Sequence, residues 1–456
     1  MSIFPDATAV ARALSPDEPV ILNRPHAARR AAQFFVQKFP GKVLYAVKAN
    51  PSPDLLQILH EGGVTHYDVA SIAEVRLVRS TLGADVTLCF MHPVKTERAI
   101  AEAYFDHGCK TFSLDSHDEL DKIVRATTRD GVEAKDLRLC VRLRVSSEYS
   151  ELSLAAKFGV DLIDAPGLLQ AVRQKADWLG VWFHVGSQAM TPFAYVQGLE
   201  RVRAAIAEAS VVIDMIDVGG GSPSVYPGME PPPLEDYFSV IHRHFYELPI
   251  AYNAELWCEP GRALCAEYNS MIVRVEKRRE NELFINDGAY GALFDAAHIG
   301  WRFPVRRVAG PENDAEMADF AFYGPTCDDA DFMEGPFPLP ADMRAGDYIE
   351  VGMLGAYGAA MRTAFNGFGD GPVETVSDEP MSSLYRGIGT AGGQGQHCRR
   401  GGEHDQLLHS GVPFVSRPSA RQPARGRFVF PEPFQRVNGT MFPRLRQNCA
   451  VRQSAA

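Results

Sequence analysis

The sequence predicts an α/β protein with a closed (β/α)8 barrel followed by a second, β-rich domain. Between about residues 42 and 262, eight short apolar runs alternate with amphipathic segments whose apolar residues recur every three or four positions. After residue 262 the pattern changes to strands and turns without helices between them, as in NSMIVRVEKRRENELFINDGAY. The even spacing of eight units favours a barrel over an open doubly wound sheet, which stays the alternative.

The eight candidate strands are short apolar runs, each bounded by helical or turn segments. They are 43–50, 65–71, 86–93, 110–116, 137–145, 178–187, 211–221 and 254–262. Segments such as DLLQILHEGG and SHDELDKIVRAT supply the predicted helices between them. Because a parallel barrel carries its functional residues where strands end, polar residues at these ends are the site candidates.

The chain is long enough for several regions with separate structural roles. We expect residues 1–22 to add a strand to the β-rich domain, 23–262 to form the barrel and 263–386 to form the β-rich domain. Residues 387–456 have no lysine and no apolar periodicity, and they are rich in Arg, Gly, Gln, Ser and Pro. This composition predicts a disordered tail.

Composition excludes several classes of function. The net charge of -11 argues against a nucleic-acid or anionic-membrane binder, since phosphate groups attract basic surfaces. No apolar run approaches the roughly 18 residues of a membrane span, and the N-terminus lacks a signal-peptide pattern. The cysteines are scattered without a CxxC pair, so neither a metal site nor a disulfide framework is expected. We expect a cytoplasmic protein.

Polar residues at the ends of the first two predicted strands suggest amine chemistry. Lys48 follows the apolar run VLYAV, and the next predicted strand contributes Asp68, with Glu74 just beyond that strand. Desolvation on a dry strand would lower the pKa of the Lys48 amine and make it nucleophilic, as Schiff-base chemistry requires. A solvated strand end is the ordinary alternative for such a lysine.

The last three predicted strands end in residues that suit a phosphorylated ring. Gly219, Gly220 and Gly221 permit close approach of backbone N–H groups to a phosphate, although a tight turn is the common alternative. His184 can stack on an aromatic ring or be a core histidine, and Ser187 adds a hydroxyl. In EPGR, Glu259 can bond a protonated ring nitrogen and Arg262 can clamp phosphate.

The β-rich domain contains an acidic loop, YGPTCDDADFMEG, with a thiol inside it. Cys327 precedes Asp328 and Asp329, and Asp331 follows. A solvated loop or a calcium site is the usual meaning of adjacent acids. Since acids raise the pKa of a neighbouring thiol, Cys327 suits a proton donor better than a nucleophile.

The ordered motifs resemble a known family. YAVKAN, YDVAS-x-x-E, HVGSQ, DVGGG, EPGR, NDGAYG, FDAAH, GPTCD-x-x-D and GAYG-x6-FNGF occur across about residues 40–370. On these motifs the chain resembles the ornithine/diaminopimelate/arginine (group IV) decarboxylases, and especially the eukaryotic-type ornithine decarboxylases. The resemblance implies an alanine-racemase-like barrel of fold type III, pyridoxal 5′-phosphate as cofactor and decarboxylation of ornithine, with lysine as a second substrate.

The resemblance also implies a role for each matching residue. The implied cofactor-binding residues are Lys48, which would form the Schiff base, and Asp68, His184, Ser187, Gly220, Gly221, Glu259, Gly261, Arg262 and Tyr357. The implied substrate pocket contains Tyr290, Phe294, Asp295 and Asp328, with phenylalanine at 294 where tyrosine is common in the family. Cys327 would donate the proton to the product.

Dimerisation is a further implication of the resemblance. Cys327 and Asp328 would reach the site from a partner subunit, and Lys157 would pair with Asp331 across the interface of a homodimer. Two alternatives stay open. A diaminopimelate decarboxylase would need a cation for the distal carboxylate, and an inactive regulatory homologue would be expected to lose the cofactor residues that this chain retains.

Overall fold

The computed structural model describes residues 3–146, 148–249, 253–310, 315–369 and 371–385, and the backbone of 434–437 and 440–443. The chain divides into two compact units, Met1–Ala391 and Gly392–Ala456. The strands are β1 (Ile3–Phe4), β2 (Val20–Asn23), β3 (Lys42–Ala46), β4 (His66–Val69), β5 (Thr87–Phe90), β6 (Thr111–Leu114), β7 (Arg138–Leu143), β8 (Ser150–Leu152), β9 (Trp178–Phe183), β10 (Ser187–Ala189), β11 (Met215–Asp217), β12 (Glu255–Cys258), β13 (Asn269–Arg279), β14 (Glu282–Ile285), β15 (Val305–Val308), β16 (Met317–Tyr323), β17 (Phe332–Pro340), β18 (Tyr348–Val351), β19 (Val373–Val376), β20 (Phe434–Val437) and β21 (Thr440–Pro443). The helices are α1 (Ala7–Leu14), α2 (Pro25–Lys38), α3 (Pro53–Glu61), α4 (Ile72–Leu82), α5 (Glu97–Phe105), α6 (His117–Ala126), α7 (Ala165–Lys175), α8 (Phe193–Ala209), α9 (Leu234–Tyr246), α10 (Arg262–Cys265) and α11 (Phe294–His298).

Eight parallel strands close into a barrel, which confirms the predicted fold class. Barrel neighbours follow one another along the chain, in the order β3, β4, β5, β6, β7, β9, β11 and β12. β12 then pairs with β3, where Cys258 lies opposite Val43. This closure excludes the open sheet. Helices α3 to α9 connect successive barrel strands.

The barrel strands end earlier than predicted, because the residues at their C-terminal ends turn into loops. The first strand stops at Ala46, and Lys48 lies on a 3-10 turn over Val47–Ala49. The sixth predicted strand splits into β9 and β10, because Gly186 between them has a φ of 103°. The seventh ends before Gly219, whose φ is 70°. Positive φ is incompatible with an extended strand, and glycine adopts it without steric cost.

Bulky apolar side chains fill the barrel beneath these loops. They are Leu44, Cys89, Met91, Cys140, Trp182, Met215 and Trp257, all buried. A filled lower barrel leaves space for a ligand only at the end where the strands finish.

The β-rich domain is an extended sheet in which the order is β1, β19, β2, β13, β14, β16 and β17, with β15 and β18 paired beside β13. The N-terminal strand β2 pairs with β13 in antiparallel register, with Asn23 opposite Asn269. Arg24 follows β2 at the start of α2, is buried, and forms ion pairs with Glu350 (2.8 Å) and Asp378 (2.8 Å). This buried ion cluster connects the first barrel helix to the sheet.

The predicted tail lies mostly outside the described residues. Its described part is an antiparallel hairpin of β20 and β21, in which Val437 lies opposite Thr440. For those strands the structure departs from the expected lack of regular structure, and for the rest of 387–456 disorder stays a prediction. Among the described residues, no helix is both long enough and apolar enough to cross a membrane.

Candidate active site

Lys48 lies at the mouth of the barrel beside a carboxylate. Its Nζ is 2.9 Å from Oδ2 of Asp68, which lies near the end of the neighbouring strand β4 and is 2% exposed. The lysine side chain is 41% exposed because it opens into a cavity of about 300 Å³. The described lining of this cavity is Lys48, Asp68, Ala70, Met91, His92, Pro93, Arg142, Ser153, Leu154, Ala156, Lys157, Phe158, Trp182 and His184.

The expected lowering of the pKa of Lys48 is wrong for this structure. Burial does disfavour the charged ammonium, but the carboxylate of Asp68, bonded to it at 2.9 Å, outweighs burial and raises the pKa above its ordinary value. The sequence correctly indicates the dry strand that precedes Lys48. It could not show that a carboxylate from the neighbouring strand is bonded to the amine.

Glu259 is a buried carboxylate without a partner. It follows β12, is 1% exposed, and neither of its oxygens accepts a hydrogen bond from a described residue. Burial is the main cause that raises its pKa well above the ordinary value, and the charges of Asp217 and Asp68 raise it further. A buried acceptor left unsatisfied is costly, so this site suits a ligand that brings its own N–H donor.

His184 lies between β9 and β10 as a neutral ring. Burial lowers its pKa well below the ordinary value, with help from the positive charges of Lys48 and Arg142. The N–H of Gly186 donates to Nδ1 at 3.1 Å, which leaves the proton on Nε2. A Cβ at Gly220 would lie 2.7 Å from that Nε2. The ring is therefore flat, neutral and packed closely against the glycine turn.

The glycine turn at 219–221 requires glycine. Gly219 and Gly221 have φ of 70° and 100°, and a Cβ at Gly219 would lie 2.0 Å from the carbonyl oxygen of Phe183. Tyr195 fixes the turn by donating from its hydroxyl to the carbonyl of Gly220 at 3.1 Å. A turn without side chains leaves backbone N–H groups accessible to an anion.

Arg262 supplies a buried cation to the same end of the barrel. Its guanidinium is stacked over Trp301 at 4.1 Å, lies 4.9 Å from the ring of Tyr357, and donates to the hydroxyl of Tyr226 at 3.1 Å. Its Nε has no partner among the described residues. The backbone N–H of Tyr357 donates to the carbonyl of Ala49 at 2.7 Å, next to Lys48.

The remaining predicted cofactor residues lie close by, with different degrees of engagement. Gly261 directly precedes α10, and a Cβ there would lie 3.0 Å from that of Ala49. Ser187 begins β10 and is half-buried. Glu74, by contrast, has a local structural use: its carboxylate accepts from the N–H of Ala70 at 2.7 Å, while Ser71 caps α4. This arrangement resembles a capping box, except that Glu74 accepts from the N–H of the residue before the N-cap Ser71.

The predicted substrate residues fall into two places. Asp295 lies on α11, where its Oδ2 is 3.4 Å from Arg262, and Phe294 beside it packs on His298 with ring centroids 4.3 Å apart. Tyr290, however, donates from its hydroxyl to Asp328, outside the Lys48 cavity. The structure thus brings Asp295 to the arginine and places Tyr290 with the acidic loop.

The acidic loop lines a separate cavity of about 670 Å³. Cys327 is exposed there, and its backbone N–H donates to Asn366 at 3.1 Å. Asp331 is 1% exposed and accepts from the N–H of Ala289 (2.7 Å) and from the N–H and hydroxyl of Thr326 (3.0 and 2.7 Å). Lys157 instead lines the Lys48 cavity, 4.8 Å from the ring of Phe158. Its pairing with Asp331 across an interface stays a prediction.

Sequence reasoning missed several residues of the Lys48 cavity. Arg142 on β7 is buried against Trp182 at 4.7 Å, and His92 follows β5 with its ring 5.1 Å from Phe158. The signal was present, because an arginine inside the apolar run LCVRLRV and a histidine just after VTLCFM lie at C-terminal strand ends. Asp217, at the end of β11, was also missed.

These residues fit pyridoxal 5′-phosphate. Lys48 would offer an amine to its aldehyde, the unpartnered carboxyl of Glu259 would accept from its ring nitrogen, and the glycine turn and Arg262 would hold its phosphate. The fold and site therefore define a pyridoxal-phosphate enzyme built on a TIM barrel.

Comparison with known proteins identifies the family. Residues 26–266 match the pyridoxal-binding domain of the pyridoxal-dependent decarboxylases. The chain is 30% identical over 358 residues to a lysine/ornithine decarboxylase of Selenomonas ruminantium, covering 76% of this chain and 87% of that protein. It is 29% identical to antizyme inhibitor 2 of Xenopus laevis, covering 74% and 76%. The arginine decarboxylase of Paramecium bursaria Chlorella virus, solved with agmatine, superposes with a TM-score of 0.72 at 25% identity, covering 80% and 98%.

The chain belongs to the group IV family of pyridoxal-phosphate-dependent decarboxylases, close to ornithine decarboxylase. Its cofactor is pyridoxal 5′-phosphate, and its reaction class is decarboxylation of a basic amino acid.

Proposed function

We propose that the chain converts L-ornithine to putrescine, a step of polyamine biosynthesis, and L-lysine to cadaverine as a second reaction. The observation that carries this choice is the acidic loop, in which Asp328 and Asp329 are exposed beside Cys327. Carboxylates favour a substrate with a distal ammonium group. The similarity to a lysine/ornithine decarboxylase supports the same substrate class.

Each residue at the barrel mouth has a task in this proposal. Lys48 binds the cofactor covalently, and Asp68 positions the amine of Lys48. His184 stacks on the cofactor ring, and Glu259 accepts a hydrogen bond from the ring nitrogen. The phosphate contacts are Ser187, Gly220, Gly221, Gly261, Arg262 and Tyr357. The bound cofactor supplies the electron sink for the bond to carbon dioxide, and the protein orients that bond.

The proposed enzyme is a homodimer with shared sites. Within one chain, Cys327 and Asp328 line a different cavity from Lys48. Association of two chains would bring the acidic loop of one to the barrel mouth of the other. There Asp328 would bind the distal ammonium, and the thiol of Cys327 would give its proton to the carbon that has lost carbon dioxide.

Side-by-side steady-state kinetics on ornithine, lysine, arginine and diaminopimelate tests the substrate. Ornithine and lysine differ by one methylene, which is worth about 1–3 kcal/mol in a pocket, so kcat/KM should favour ornithine by about 10- to 100-fold. Lys48→Ala is the control for contaminating activity. A higher kcat/KM for arginine or diaminopimelate would contradict the proposal.

A regulatory homologue without activity is the second candidate, because the chain is also similar to an antizyme inhibitor. The arrangement of Lys48, Asp68 and Glu259 supports an enzyme instead. Absorbance spectra of the purified protein with added pyridoxal phosphate separate the two. An enzyme should show a visible band that sodium borohydride removes, whereas a cofactor-free homologue should show none.

A further inference from the structure

A second buried carboxyl lies beside Glu259, below the cofactor site. Asp217 ends β11, is fully buried, and is paired opposite Trp257 on β12, two residues before Glu259. Its Oδ1 accepts from the N–H of Gly219 at 2.7 Å, and its Oδ2 has no partner among the described residues. The backbone N–H of Glu259 donates to the carbonyl of that same Gly219 at 2.9 Å. Gly219 is therefore bonded to both acids.

The two carboxyls can bond to each other only when a proton lies between them, because ionised carboxylates are acceptors only. Burial is the largest cause that raises the pKa of both groups. The charge of Asp217 raises the pKa of Glu259 further, whereas bonds from Gly219 and Glu259 restrain the pKa of Asp217. Asp217 already accepts from the N–H of Gly219, which favours its ionised form, whereas neither oxygen of Glu259 accepts from a described residue. The shared proton therefore fits on Glu259, with the free Oδ2 of Asp217 as its acceptor.

The surroundings of the pair do not supply another proton donor of comparable strength. The titratable groups that interact electrostatically with it are Lys48, Asp68, Cys89, Arg142, Cys140 and Cys258. The ammonium of Lys48 is bonded to Asp68, and burial raises the pKa of the three thiols. Two buried anions side by side would repel strongly, and one proton between them removes that repulsion.

We propose that Asp217 is a positioning residue that shares one proton with Glu259 and ties that carboxyl to the glycine turn through Gly219. This inference rests on the proposed function, in which Glu259 serves the ring nitrogen and the turn serves the phosphate. Asp217 adds a connection between those two contacts. Movement or loss of Asp217 should therefore disturb both ends of the bound cofactor together.

Infrared difference spectroscopy on the cofactor-free protein tests the shared proton. In Asp217→Asn the side-chain oxygen can still accept from Gly219 and the amide can donate to Glu259, so no proton is needed. The carbonyl band of one protonated carboxyl should be present in the wild type at neutral pH and absent from Asp217→Asn. Glu259→Gln removes the pair from the other side and should lose the same band. An unchanged band in both variants would overturn the proton-sharing proposal.

Titration of the cofactor-free protein with pyridoxal phosphate, followed by tryptophan fluorescence, tests positioning. Asp217→Asn should keep the wild-type Kd within about threefold, whereas the similarly sized Asp217→Val should weaken it by about tenfold or more, since it leaves Gly219 and Glu259 without partners. Asp287→Asn is a matched control, because Asp287 is buried and accepts from the N–H of Ala292 at 2.8 Å. Wild-type affinity in Asp217→Val would overturn the positioning role. Failure of the wild type to bind the cofactor would instead contradict the proposed function. The infrared result would still test the shared proton, because it is measured on the cofactor-free protein.

Discussion

The barrel mouth and the acidic loop of the β-rich domain carry the two halves of the proposed chemistry in opposite environments. At the mouth, Glu259 and Arg262 are 1% and 5% exposed and rest on a filled barrel core. In the loop, Cys327 and Asp328 are exposed. Buried polar groups keep their geometry because packing fixes them, whereas exposed groups become strong partners only when water is removed. The site at the barrel mouth is therefore preformed, whereas the acidic loop needs another protein surface to exclude water from it.

The largest effect should come from the preformed half. Lys48→Ala removes the only amine that is bonded to Asp68 in the described cavity, and decarboxylation should fall by on the order of 10³-fold or more. The visible absorbance of the bound cofactor should disappear with it. Lys110→Ala is a matched control, because Lys110 is an exposed lysine that pairs with Asp136 and does not line this cavity. Turnover at the wild-type rate in Lys48→Ala would refute the assignment.

Mixing subunits tests whether the exposed half serves another chain. Lys48→Ala and Cys327→Ala proteins should each be impaired, but a hybrid dimer regains one site with both groups. Random exchange makes about half of the dimers hybrids with one good site each, so activity should approach about a quarter of the wild-type value. Native mass spectrometry would verify exchange. Hybrid dimers without recovered activity would mean that the loop does not complete the partner's site.

The sequence patterns predicted the fold more accurately than they predicted the electrostatics of the site. Periodicity located all eight barrel strands, but it extended them through Gly186 and Gly219, where positive φ ends the extended backbone. The rule that barrels act at their strand ends correctly directed attention to Lys48, Asp68 and Glu259, whose side chains the structure brings to one end. Their roles as cofactor contacts stay predictions.

The misses have a common physical cause. The pKa of Lys48 depends on the carboxylate of Asp68 on the neighbouring strand β4, which no local pattern reveals. Asp217 and Arg142 lie inside apolar runs, and both are buried. In such a run the sequence pattern indicates a buried strand and does not single out its charged residues. The bond between Tyr290 and Asp328 joins residues that are far apart in the chain. Contacts between separate elements need the fold before they can be seen.

A smaller effect should appear in Cys327→Ala. Without the proposed proton donor, turnover should slow by about 10²-fold, and some product should be the aldehyde that follows when the proton goes to the cofactor instead. Chromatographic measurement of putrescine against that aldehyde gives the partition. If the thiol only packs the loop, then Cys327→Ala should lower stability and leave the ratio of putrescine to aldehyde unchanged. An unchanged ratio would contradict the role of Cys327 as proton donor.

The smallest effect should come from the tail, provided that the cut spares Tyr385. Tyr385 is 1% exposed, donates from its hydroxyl to the carbonyl of Ala263 at 2.7 Å and packs on Phe34 with ring centroids 5.3 Å apart. Just before it, Ser383 donates to Glu267 at 2.8 Å. These contacts hold the end of the β-rich domain on the barrel.

Removing the residues after 390 keeps all of these contacts, and the melting temperature and kcat/KM should stay at wild-type values. A matched cut after residue 380 deletes Tyr385 and leaves the buried Glu267 without its Ser383 donor, at a cost of about 3–5 kcal/mol in the free energy of unfolding. Thermal melts of both truncations, read beside their activities, measure the difference. If the protein cut after residue 390 melts at as low a temperature as the protein cut after residue 380, then residues beyond 390 stabilise the fold. The predicted tail would then be a structural part of the protein.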